Sequence, residues 1–189
     1  TEPADPARFK VAAFYSISNC QPGLRGVNLG NFLIKKVAER LQAEFPSLRT
    51  FCTLSPVPGF AAWLAKAERA ESDRLKPAQN QNLARALAGL RQRHGRDLGG
   101  LATGTMAERD QDALRALCAY YLVFESAAPG ADAPRAADPV ARFHLNNGAR
   151  LERVHAGADL SRKGLKQSFG FMVNYLYDLD DIEANHEKF

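Results

Sequence analysis

The sequence predicts an α/β fold of the α+β kind, a sheet flanked by helices, and three observations carry that prediction. Residues 9–18, FKVAAFYSIS, and residues 49–55, RTFCTLS, are two runs rich in β-formers. Between them Leu29, Phe32, Leu33, Val37 and Leu41 recur at helical spacing, with Lys35, Lys36, Glu39 and Arg40 on the opposite side. Strand, helix and strand in that order make a βαβ unit, whose crossover sets the two strands parallel.

Taken in order, the first run reads as a strand buried on both faces, because it lacks polar alternation. Residues 20–36, CQPGLRGVNLGNFLIKK, follow, with Gly23, Gly26 and Gly30 inside eight positions. The helix then runs from about Leu29 to Phe45, and Pro46 ends it. Residues 60–124 are mostly helical, divided at Pro77 and again in the GRDLGGLATGT loop. Their middle, 66–96, is rich in Ala, Arg and Gln and reads as a surface-lying helical insertion. LCAYYLVFE (117–125) closes the region on an apolar note, and APGADAPRAAD is a linker-like loop. Asp138 and Pro139 are an N-cap and an N1 proline for a short helix, VARFHLNN, which Gly148 stops. ARLERVH reads as a strand. SFGFMVNYLYDL (168–179) reads as a long one, with Phe169, Phe171, Val173, Tyr175 and Tyr177 alternating onto one face.

Composition narrows the function classes. The chain has 189 residues, 46% hydrophobic and 24% charged, which suits one globular domain with a sizeable core. A formal net charge of +4 suits an anionic ligand, but without a long Lys/Arg block it does not point to nucleic acid. No stretch approaches the roughly 18 apolar residues of a membrane helix. Cys20, Cys52 and Cys118 form no CxxC pair and no metal-ligand spacing, so no metal is expected. Unpaired and odd in number, they suggest a reducing compartment. The start, TEPADPARFK, and the end, DDIEANHEKF, both read as cuts in a longer protein.

Three places could carry chemistry. The glycine-rich stretch sits at the carboxyl end of a strand and opens a helix, whose unpaired N–H groups suit an anion such as phosphate; it could equally be a turn that caps the helix. In LSPVPGF (54–60) two prolines stiffen the backbone behind Ser55, which either caps the next helix or presents its hydroxyl at a strand's end. No GxSxG elbow surrounds it. His144 shares a helical face with Val140, Phe143 and Asn147, as a packing residue or as a donor and acceptor near neutral pH. His94, His155 and His186 stand in charged surroundings and read as surface residues. Tyr177, alternating on a strand, reads as core.

Residues 25–30, RGVNLG, resemble the pyrophosphate loop of the GNAT acyltransferase superfamily, with Asn28 at the first glycine position. Taken together, FYSIS, QPGLRGVNLGNFLIKKV, EFPSLRTFCTLSPVPGF, LCAYYL, DPVARFHLNNGARLERV and FMVNYLYDL resemble malonyl-CoA decarboxylases over almost all the chain except about 65–115. The resemblance implies a GNAT-like mixed sheet, with residues 1–189 the later part of the catalytic domain and a preceding helical domain absent from the chain. It implies decarboxylation of malonyl-CoA to acetyl-CoA and carbon dioxide, a carboxy-lyase activity of fatty-acid metabolism. No cofactor is then needed beyond the coenzyme A of the substrate itself, because the thioester carbonyl is the electron sink. The alternatives are a GNAT-type acyltransferase and a non-catalytic acyl-CoA-binding module. The implied acyl-CoA loop is Arg25, Gly26, Val27, Asn28, Leu29, Gly30 and Asn31; the implied catalytic residues are Ser55, His144 and Tyr177. Asn28 stands where animal members have an active-site glutamate. The implied partners are the missing N-terminal part and further copies in a homo-oligomer, with no nucleic acid and no membrane. The expected setting is a bacterial cytoplasm.

Overall fold

A computed structural model describes residues 5–15, 30–103, 105–125 and 137–188. Most of the glycine-rich loop, Arg25 to Leu29 included, lies outside the described residues, as does most of the linker before Asp138. The chain divides into two compact units, one of residues 1–55, 143–153 and 173–189, the other of 56–142 and 154–172.

The first unit holds the sheet. After a 3-10 turn at Pro6–Arg8 come β1 (Val11–Phe14), α1 (Gly30–Glu44), β2 (Thr50–Thr53) and β3 (Ser55–Pro56). β1 and β2 are parallel, in the register Val11 to Thr50 through Phe14 to Thr53, as the βαβ pattern requires. The late strands β4 (Arg150–His155) and β5 (Met172–Tyr177) return to the same sheet. β5 lies antiparallel to β2, with Phe51 opposite Tyr177 and Cys52 opposite Leu176. The strand order is β1-β2-β5-β3, with β4 also paired to β5, so the sheet is mixed.

Two expectations for this unit need correction. Among the described residues β1 covers Val11–Phe14, with residues 16–18 of the expected run outside them, and it is not buried on both faces: Val11 is 53% exposed, and Phe9 and Tyr15 are exposed beside it. It stands at the end of the strand order, where a strand has one neighbour. On α1 the buried stripe is turned by one residue. Ile34 and Ala38 are buried, whereas Leu33 and Val37 are exposed, because an i, i+4 pair of apolar residues exists on both faces and the sequence does not rank them.

The second unit is helical, with α2 (Phe60–Lys66), α3 (Pro77–His94), a 3-10 turn at Gly99–Leu101, α4 (Glu108–Phe124) and α6 (Arg162–Ser168). Phe60 is its aromatic centre, edge-on to Phe169 and Phe171, while Trp63 packs against Tyr120 and Tyr121. α3 runs along α4 and buries Leu83, Leu87 and Leu90. Asp110 is buried and accepts from Arg93 Nε and bonds His94 Nε2 at 2.9 Å; His94 is exposed, as expected, and engaged by this carboxylate. Burial opposes ionisation of Asp110, but the hydrogen bonds from His94 and Arg93 outweigh it and hold the carboxyl below its ordinary value.

The expected long strand at 168–179 is shorter. Ser161 caps α6 by accepting from Gly164 N, the helix runs to Ser168, and Phe169 then adopts a left-handed φ of 54°. A residue in that conformation cannot continue a pleated strand, so β5 begins only at Met172.

Candidate active site

Four buried side chains of the first unit form one hydrogen-bonded chain. Ser55 Oγ lies 3.0 Å from His144 Nε2 and donates to Thr53 Oγ1 at 2.9 Å. On the other side of the ring, His144 Nδ1 lies 2.8 Å from the Tyr177 hydroxyl. Thr53, Ser55, His144 and Tyr177 are each less than 5% exposed.

The strands explain the alignment. Side chains two apart on extended backbone point the same way, so Thr53 and Ser55 share a side, as do Tyr175 and Tyr177. Antiparallel pairing of β2 with β5 puts both pairs on one face of the sheet. The Tyr175 N–H reaches Thr53 Oγ1 at 3.3 Å, and Asn174 Nδ2 donates to the Thr53 carbonyl. Ser55 does not cap a helix: α2 starts five residues later at Phe60 and has Gly59, without a side-chain bond, as its cap residue.

His144 arrives from α5 (Pro139–Asn146). As expected, Asp138 starts this helix, its Oδ1 accepting from Val140 N and Ala141 N at 2.9 and 3.0 Å. Gly148 ends the turn that follows with φ of +76°; a Cβ there would stand 2.2 Å from the Ile182 carbonyl oxygen. The buried face of α5 is Ala141 and His144, continued by Asn147 just past its end, with Val140 and Phe143 half-buried. Tyr175 stacks on the imidazole, ring centroids 4.6 Å apart and planes 24° off parallel.

Burial pushes the His144 pKa down to about 4, so the ring is neutral at pH 7 and carries one hydrogen. With Ser55 donating to Thr53, the matching tautomer carries the ring hydrogen on Nε2, donating to Ser55, while Nδ1 accepts from Tyr177. Burial also raises the Tyr177 hydroxyl above its ordinary value, which keeps it protonated as a donor. The arrangement can present a hydroxyl and an imidazole N–H to a reacting group without a charged side chain.

Of the residues singled out in the sequence, the structure brings together Ser55, His144 and Tyr177. Arg25, Gly26, Val27, Asn28 and Leu29 lie outside the described residues, and Gly30 and Asn31 appear only as the first backbone turn of α1. Thr53 and Tyr175 were missed. Their signal was the two-residue spacing in TLS and YLY, which becomes informative once Ser55 and Tyr177 are known to face each other's strand.

Fold and site therefore define a mixed α/β protein with a buried serine–histidine–tyrosine cluster at the sheet. Residues 1–189 match the malonyl-CoA decarboxylase C-terminal domain family, and the chain belongs to that family. It is 40% identical to mouse mitochondrial malonyl-CoA decarboxylase, over 98% of this chain and 39% of that protein. The crystal structure of malonyl-CoA decarboxylase from Cupriavidus metallidurans is 47% identical with a TM-score of 0.75, over 95% of this chain and 45% of that one. The enzyme from Rhodopseudomonas palustris is 45% identical with a TM-score of 0.71, over 98% and 40%. The chain thus spans about two fifths of the length of these relatives. The mouse relative is mitochondrial by name, as are those of rat and goose, which overturns the expected bacterial cytoplasm. Unpaired cysteines mark a reducing setting but do not tell one such compartment from another.

Proposed function

We propose that this chain supplies the reacting residues for decarboxylation of malonyl-CoA to acetyl-CoA and carbon dioxide. The observation that carries the proposal is the buried Ser55–His144–Tyr177 chain, in a member of this family. Loss of carbon dioxide leaves two electrons that the thioester carbonyl takes up as an enolate, so the substrate is its own electron sink and the reaction is proposed to need no cofactor. The protein's task is then to stabilise a developing oxyanion, keep water away and deliver one proton to carbon. Preorganised donors at such an oxyanion are worth about 3–4 kcal/mol each. Ser55 positions the malonyl carboxylate and relays protons, His144 gives its Nε2 hydrogen toward the enolate through Ser55 and regains one from solvent after carbon dioxide has left, and Tyr177 holds the ring by bonding Nδ1.

In the same proposal residues 25–31 are the loop for the coenzyme A phosphates. The chain is the later part of a GNAT-like catalytic domain, working with the remainder of a longer protein in a homo-oligomer. Its support is the family match together with the share of its relatives that it spans.

The test is incubation of the full-length parent with malonyl-CoA and no added amine, followed by product analysis. Acetyl-CoA and carbon dioxide are expected. Ser55→Ala and His144→Asn should each lower kcat by about a hundredfold or more, with KM within a few-fold, because these groups act mainly in the transition state. A requirement for an amine acceptor would make the protein an acyltransferase, and tight binding without turnover a binding module. Near-normal kcat in either variant would remove that residue from the chemistry.

A further inference from the structure

Resting on the decarboxylase reading of this site, we propose that Thr53 is a positioning residue for Ser55, fixing the direction of the whole hydroxyl–imidazole chain. Ser55 has two hydrogen-bonding neighbours within reach, Thr53 Oγ1 at 2.9 Å and His144 Nε2 at 3.0 Å, and one hydrogen to share between them. If the hydrogen goes to Thr53, the imidazole donates to Ser55 and accepts from Tyr177. If it goes to His144, every bond in the chain reverses, and Nδ1 must donate to Tyr177. The identity of the ring nitrogen that holds the proton is therefore decided two residues away from the ring.

The surroundings of Thr53 fix where its oxygen sits. Its Oγ1 also accepts from the backbone N–H of Tyr175 at 3.3 Å, an anchor on the neighbouring strand. Its carbonyl accepts from Asn174 Nδ2, and the residue is 1% exposed, so neither backbone nor side chain has room to turn. Tyr175, which donates to Thr53, also stacks on the His144 ring, so one residue of β5 locates both ends of the Ser55 contact. A hydroxyl held on two sides in a buried strand has the geometry of a positioning group. Packing alone would be served equally well by valine, which has the same shape without the oxygen.

Thr53→Val in the full-length parent tests this. The kcat should fall about ten- to a hundredfold with KM within threefold, and Thr53→Ser, which keeps the hydroxyl, should restore kcat to within threefold of wild type. In a Ser55→Ala background, Thr53→Val should cost less than a further twofold, because Thr53 acts through Ser55. A kcat within twofold of wild type for Thr53→Val overturns the proposal, and so does an equal loss in the Ser55→Ala background, which marks a structural role. Should Thr53→Val not fold, Thr53→Ala is judged by the same outcomes. Nitrogen-15 NMR of labelled histidine reads the same device without turnover: His144 should hold its hydrogen on Nε2 in wild type and become a mixture of tautomers in Thr53→Val. Unchanged imidazole shifts overturn the proposal. A wild-type parent that makes no acetyl-CoA defeats the decarboxylase reading instead, and leaves the NMR outcome to judge Thr53.

Discussion

Lowering the pH from 7 toward 4 should destabilise the chain through His144, by an amount that the site itself sets. The ring's pKa is about 4 in the fold against an ordinary 6.5, because burial disfavours the charged form. A gap of ~2.5 units at ~1.4 kcal/mol per unit amounts to about 3 kcal/mol. The sign follows from which state binds the proton first. Between pH 6.5 and 4 the unfolded chain carries a charged histidine and the folded one a neutral ring, so stability is full above 6.5 and is lost as the pH falls toward 4. Between pH 7 and 4.5 the loss is about 2 kcal/mol, a large share of the ~5–15 kcal/mol of an ordinary domain. The assay is urea unfolding at half-unit pH steps for wild type and for His144→Gln, whose side chain does not titrate. Asp110 and Asp138 titrate in both proteins, so their contributions cancel in the difference. Whatever stability His144→Gln loses through packing shifts its whole curve, which should still be flatter by that ~2 kcal/mol. Parallel curves for the two proteins would mean that His144 is not held neutral by burial, and the assignment of its hydrogen to Nε2 would fall with it.

Gly148→Ala should cost about 2–3 kcal/mol, since it adds a Cβ at a φ of +76° and 2.2 Å from the Ile182 carbonyl oxygen; a thermal shift of several degrees checks it. Asp110→Asn should cost about 1–3 kcal/mol in urea unfolding, because Arg93 and His94 lose the carboxylate that both of them bond. An unchanged stability in the second case would mean that burying the carboxylate costs as much as its hydrogen bonds return.

The elements that were legible in the sequence are those whose signal is local. Asp138-Pro139 names its own cap and first turn, and Gly148 its own stop, because both depend on backbone geometry within a few residues. The parallel pairing of β1 and β2 follows from the helix between them. What failed depended on distant partners. Whether Leu33 or Ile34 faces inward is decided by what α1 packs on, and whether 168–171 is strand or turn is decided by the Ser161 cap and the place Phe169 takes beside Phe60. The site shows the same division. Ser55 and His144 stand 89 positions apart, and composition gives no reason to join them; the resemblance supplied both names, while the contact is tertiary. Tyr177 read as core, and it is core by burial, but its hydroxyl also ends on the imidazole.

The group behind the imidazole bears on the chemistry. In a hydrolytic triad the second ring nitrogen donates to a carboxylate, which stabilises the imidazolium formed when the serine is deprotonated. Here that nitrogen faces the neutral Tyr177 hydroxyl, and burial drives the ring away from the charged form. Such a histidine is a poor base for making a serine nucleophile, since the cation it would become is the state its surroundings penalise. It is better placed to give a hydrogen than to take one: a neutral ring with Nε2–H toward Ser55, held in that tautomer by Tyr177, which keeps its own hydrogen, so that the proton given to carbon is replaced from solvent after carbon dioxide has left. A decarboxylation that ends in an enolate needs one hydrogen delivered and no nucleophile at all. The substitution that probes this logic directly is Tyr177→Phe, which removes the donor behind Nδ1 while keeping the ring. If the cluster is a hydrogen donor, that loss weakens delivery; if it were a base, freeing Nδ1 from an incoming donor would ease formation of the imidazolium. The direction in which kcat moves therefore separates the two chemistries.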